Sequence, residues 1–197
     1  MALAKSDAKP YSAGITMTTE MDGDGIISAF GQMNFGEKLS ARVEVRASDP
    51  DGDGPLVHYE SIMTESAAYG RDLGKKGPWF EQPREADATV SDFRVYARAL
   101  AGRGAAALRG AETREGVATV HLTGRFDPEE LAVIDSRVAR SMAQKGVNGF
   151  DCDLWIDQDG RLTRYEQRFA TKTYKALNTV IFKDFGPPQA FTAPTVG

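Results

Sequence analysis

The 197 residues include one cysteine, two histidines and two tryptophans, and no apolar run nears the ~18 residues that a membrane-spanning helix needs. A single cysteine excludes an intramolecular disulfide. Cys152 falls in the apolar phase of FDCDLWI and reads as an inert core thiol. His58 and His121 lie in different predicted strands, without a Cys or His partner at metal-ligand spacing, and read as partly exposed sheet residues. A basic excess is also missing. The chain carries 24 Lys+Arg against 28 Asp+Glu, a net charge of -4, which argues against a nucleic-acid partner. The opening MALAKSDAKP has no apolar signal core, so the chain reads either as cytoplasmic or as one from which a leader was removed. Nucleophile-elbow, phosphate-loop, zinc-protease and dinucleotide motifs are all lacking. No catalytic residue, metal ligand or cofactor is assigned, because a catalytic pair cannot be picked from 28 carboxylates without geometry.

What is present is ordinary globular composition, 41% hydrophobic and 26% charged, in a chain long enough to bury about 70% of its unfolded surface. Residues 1–9 have the composition of a flexible tether, and 10–197 are expected to form a single domain. Beyond Pro10 the pattern has period two. Strands are expected over 11–21, 26–35, 39–47 and 56–64, with one or two short ones in 66–82. In 39–47, Leu39, Ala41, Val43 and Val45 face one side, and Arg42, Glu44 and Arg46 the other. The period then lengthens: Val90, Phe93, Ala97 and Leu100 mark a helix over 89–101. Strands at about 106–114 and 117–126 follow. A second helix starts at the Asp127 cap with Pro128 in its first position and Glu130 at capping-box spacing. Leu131, Ile134, Val138 and Met142 form its stripe, and Gly146 ends it. Three more strands are expected at 150–156, 161–174 and 176–185. The fold class is α+β: about ten antiparallel strands, too many for a flat sheet, curled with helices over one face.

Asp49-Pro-Asp51-Gly-Asp53-Gly54 followed by Glu60 matches a calcium-loop pattern. Its context is a strand on each side rather than helices, so a hairpin connection rich in turn residues is the reading preferred. Asp157-Gln-Asp159-Gly160 reads as another hairpin turn. Five methionines, Met17, Met21, Met33, Met63 and Met142, occupy apolar phases. They either line an interior that adapts to an irregular apolar guest or simply fill the core. Trp79 and Trp155 either line a mouth or simply anchor the sheet.

Several segments carry a family resemblance. ITMTTEMDGDGIISAFGQMNFG, GKKGPWFE, LRGAETREGVATVHLTGRFDPEEL, DCDLWIDQDGRLTRYEQRF and FKDFGPPQAFTAP together resemble the LolA/LppX/LprG-like superfamily of bacterial envelope lipoproteins, actinobacterial ones especially, over nearly all of 11–190. These motifs are turns and strand ends, so they speak to fold before ligand. The resemblance implies a strongly curved antiparallel sheet, an incomplete barrel, with helices packed on its concave face. It also implies an extracytoplasmic, non-catalytic lipoprotein held at the membrane surface by a lipid anchor not present in this chain. Such a protein would bind or carry a lipid or acyl chain in a cavity between sheet and helices. The expected lining is Met17, Met33, Val43 and Met63 from the sheet, with Val90, Phe93, Leu100, Leu131, Ile134 and Val138 from the helices. The alternative is an envelope lipoprotein that binds a protein partner, such as the sensor component of an envelope-stress signalling system.

Overall fold

A computed structural model describes residues 9–22, 25–48, 55–83 and 91–197. The Asp49–Gly54 stretch of the calcium-loop pattern, residues 89–90 of the expected first helix and most of the tether lie outside these residues. Residues 91–93 are described and are not helical, so the helix expected over 89–101 begins only at Arg94. The chain divides into two compact units, one built from Asp92–Ile181 and the other from Lys9–Ser91 with Phe182–Gly197.

The second of these units holds β1 (Tyr11–Met21), β2 (Gly25–Phe35), β3 (Ser40–Ser48), β4 (Pro55–Met63), β5 (Ala68–Asp72) and β6 (Phe80–Gln82). Each pairs antiparallel with the next. Alternation explains why. Register sets Ala13, Met33, Ala41, Met63 and Ala68 side by side in one cross-strand row, and Ile15, Gly31, Val43, Ser61 and Gly70 in the next. The opposite face carries Arg42, Glu44, Arg46, His58, Glu60 and Arg71. A one-residue slip would exchange the two faces, so the pattern pins the register. After Gly186 the chain crosses the polar face. Ser12 Oγ donates to the Pro187 carbonyl at 2.8 Å, the Asn34 amide both donates to and accepts from the Gln189 backbone, and the Gly197 N–H reaches the Trp79 carbonyl.

The other unit begins with α1 (Arg94–Gly102) and a single 3-10 turn (Gly104–Ala106), followed by β7 (Leu108–Arg114) and β8 (Val117–Phe126). Next come α2 (Pro128–Ile134) and α3 (Ser136–Gln144), then β9 (Phe150–Asp157), β10 (Leu162–Ala170) and most of β11 (Lys175–Gly186). The capping box at Asp127 and Glu130 forms in full, with Pro128 at the first turn. The helix expected to run on to Gly146 is two helices. Asp135 leaves helical geometry (φ -152°, ψ 78°) and its carboxylate accepts the Val138 N–H, which caps α3 afresh. The strand expected over 161–174 stops at Ala170, because Thr171 Oγ1 accepts the Thr173 and Tyr174 amides and turns the chain. α1 lies against the apolar face of this unit's strands. Tyr96 of α1 meets Phe126, Phe150 and Tyr165, and Leu100 sits so close over Gly124 that a Cβ there would lie 2.6 Å from Leu100 Cδ2.

The eleven strands of the described residues form one antiparallel sheet in the order β6-β5-β4-β3-β2-β1-β11-β10-β9-β8-β7. It ends at β6 and β7 and does not close into a barrel. The fold is α+β, as the sequence leads one to expect.

Candidate functional site

The apolar face of β1–β6 changes along its length. At one end Ala13, Met33, Phe35, Ala41, Val43, Met63 and Ala68 are all sealed from solvent. Toward the hairpin tips the register continues the same face through Met17, Ala29, Val45 and Tyr59, then through Thr19, Ile27, Ala47 and Val57. There the apolar side chains open to water. Met17, Met21, Ile27, Val45 and Tyr59 are half-buried, and Val57 and Phe80 are each 47% exposed. Tyr59 lays its ring over Gly70, where a Cβ would come within 1.5 Å of the hydroxyl, and its ring centroid is 6.3 Å from that of Phe80. The result is a largely apolar surface whose polar groups include the Tyr59 phenol, Thr19 and, opposite Tyr59 at the β5 end, Asp72 with its Lys75 partner.

Of the residues expected to line a cavity, Met33, Val43 and Met63 are neighbours at the closed end of this face, and Met17 stands at its open end. Phe93, Leu100 and Leu131 are buried within the other unit. Phe93 packs on Tyr165 with centroids 4.7 Å apart, and Leu100 covers Gly124. Ile134 and Val138, on either side of the Asp135 break, are half-buried. Val90 lies outside the described residues. Among the five methionines placed in apolar phases, Met33, Met63 and Met142 are buried while Met17 and Met21 are only half-buried.

Beneath the helices, Tyr96 donates its hydroxyl to Asp135 Oδ2 at 3.0 Å. Burial, reinforced by that carboxylate, pushes the Tyr96 phenol well above its ordinary range. Burial does the same to the Cys152 thiol, so this cysteine is a packing residue rather than a nucleophile.

The polar faces hold ion clusters that single-residue reading did not find. On β4, the Glu60 carboxylate is 6% exposed and is taken on one oxygen by Arg42 Nε at 2.7 Å and on the other by Arg71 Nε at 2.7 Å. Both oxygens therefore have guanidinium partners, whatever the Asp49–Gly54 stretch does. On β8–β10, the His121 ring stacks on Trp155 at 4.4 Å and its Nε2 lies 2.8 Å from Asp153 Oδ1. Arg114 lies over the Trp155 ring at 4.3 Å, and the indole N–H donates to Glu112. Glu166 accepts from Arg114, Arg164 and Arg168 together. Burial alone would raise the Asp153 carboxyl, but hydrogen bonds from His121, Thr123 and Arg168 outweigh it and hold the pKa low. The signal for these clusters was the charged phase of each strand; which charge meets which depends on register, which alternation does not supply. Among the described residues, no group of three or more His, Cys, Asp or Glu is placed to hold a metal ion, and no helix is long and apolar enough to cross a membrane.

No protein-family model matches the chain, and no curated protein matches it. Solved structures do. The chain is similar over its whole length to LprF from Mycobacterium bovis, with 16% identity, 96% of that chain covered and a TM-score of 0.56. It is similar over 96% of its length to the Mycobacterium tuberculosis lipoprotein LppX, with 13% identity, 93% of that chain covered and a TM-score of 0.53. A LolA superfamily protein from Nitrosomonas europaea matches at 11% identity, 96% of this chain and 93% of that one, with a TM-score of 0.40. At these identities the likeness is one of fold: the chain has a LolA/LppX/LprG-like fold.

Proposed function

We propose, from this LolA/LppX/LprG-like fold, that the protein is a non-catalytic extracytoplasmic lipoprotein that binds a hydrophobic ligand, a lipid or acyl chain, on the apolar face of β1–β6. The observation that carries the reading is the open end of that face, where Met17, Ile27, Val45, Val57 and Phe80 present apolar surface to water. Burying such surface is the main source of affinity for an acyl chain, at roughly 0.8 kcal/mol per methylene. Methionine suits this work because its unbranched thioether adapts to an irregular guest. Residues 1–9 as a tether to a lipid anchor, and 10–197 as one domain, belong to the same proposal.

The test is native mass spectrometry of protein purified from a membrane-rich host, followed by solvent extraction. A discrete added mass that extracts as lipid supports the reading. In titrations with fatty acids, affinity should rise with chain length by up to about fourfold per methylene, and Val57→Glu should remove most of it. A protein that stays apo after incubation with envelope lipids, and whose weak binding ignores chain length, would sink the proposal.

A further inference from the structure

The sheet ends in very different strands. β6 has three residues, whereas β7 has seven and, among the described residues, pairs only with β8. A strand with a neighbour on one side leaves a row of backbone N–H and C=O groups unpaired, which is a template for another strand. Proteins blunt such edges with proline, lysine or a covering segment. β7, Leu-Arg-Gly-Ala-Glu-Thr-Arg, has no proline and no lysine, and Leu108, Arg109, Ala111, Glu112 and Thr113 are all exposed. Its one irregularity is a bulge. Leu108 opposes Leu122 and Gly110 opposes His121, so Arg109 has no counterpart on β8. A bulge of this kind re-aims the extra side chain. Arg109 is exposed and makes no hydrogen bond or ion pair with the described residues. The nearby carboxylates are committed elsewhere, Glu112 to the Trp155 indole and Glu115 to Arg164. Among the described residues the edge therefore offers unpaired main chain, an exposed leucine at 49% and a cation without a counter-charge.

We infer that β7 is a docking strand for an extended, acidic segment of another protein, which adds to the sheet through its main chain and places a carboxylate against Arg109. A second copy of this chain fits less well. It would bring the same edge, whose acids are already held by Trp155 and Arg164 and have nothing to give Arg109. The inference concerns a different surface from the proposed lipid site and stands without it.

The experiment is amide NMR of the full-length protein titrated with a short blocked peptide of alternating glutamate and threonine, beside its lysine–threonine counterpart. The acidic peptide should shift the 110–114 amides and slow exchange of the outward-facing ones. Arg109→Glu, at an exposed position without a partner among the described residues, should leave the melting temperature unchanged, weaken the acidic peptide about fivefold and let the lysine peptide bind. Equal binding of both peptides, shifts confined to residues away from β7, or the absence of any shift would overturn the inference. So would sedimentation showing a dimer that Arg109→Glu dissolves, since the occupant would then be a second copy.

Discussion

Glu166 is 5% exposed and surrounded by three arginines. A carboxylate so far from water is tolerated because those guanidiniums neutralise it, and removing its charge leaves them facing each other across β10. Glu166→Gln should therefore cost about 2 kcal/mol, read as a lower denaturant midpoint. Asp153 gives a dependence on pH. Its folded pKa lies below the ordinary 3.8, so its stabilising contribution is complete above that value and is lost as pH falls through the folded one. The stability gap between the wild type and Asp153→Asn should accordingly be constant above about pH 5 and shrink below about pH 4. None of this pairing was legible residue by residue. His121 reads in isolation as an ordinary sheet histidine, and only the register that sets it opposite Trp155 reveals the stack.

Elements were more legible than contacts. Period-two alternation located β1 to β4 within a residue or two, and the Asp127-Pro128-Glu130 signature located the start of α2 correctly, because such signals are local. The break between α2 and α3 was missed for a physical reason. Leu131, Ile134, Val138 and Met142 continue one apolar stripe straight through it, so the periodicity alone shows no interruption at Asp135. What singles Asp135 out is three-dimensional: one oxygen caps α3 while the other accepts from Tyr96. Tyr96→Phe should cost about 1 kcal/mol by thermal denaturation, because it strands that second oxygen without removing the cap. Gly149, at φ +88°, joins the helices to β9. A Cβ there would meet the Phe126 carbonyl at 2.2 Å, a backbone atom that cannot swing aside. Gly149→Ala should destabilise by about 2 kcal/mol or more, with α2 displaced from β8.

For the whole molecule, composition and alternation were enough for the α+β class and for a sheet of ten or so strands. The candidate site was partly legible. The methionine and valine phases of β1 to β4 do share a face, but which end of that face stays open depends on packing. If the face binds lipid as proposed, a saturating ligand should raise global stability. At a free concentration a hundred times the dissociation constant the gain is about 2.7 kcal/mol, measurable as a shift of the melting curve.

The sheet order has a consequence in time. β1 lies next to β11, yet in sequence they are separated by almost the entire chain, and the unit that contains β1 is completed only by Phe182–Gly197. At ~5–20 residues per second of synthesis, β1 leaves the ribosome roughly ten seconds or more before its neighbour exists. Throughout that interval the flank of β1 that β11 will cover has no strand beside it. The nascent protein is therefore a worse neighbour to its own kind than the finished one, and its last strand acts as the closing seam.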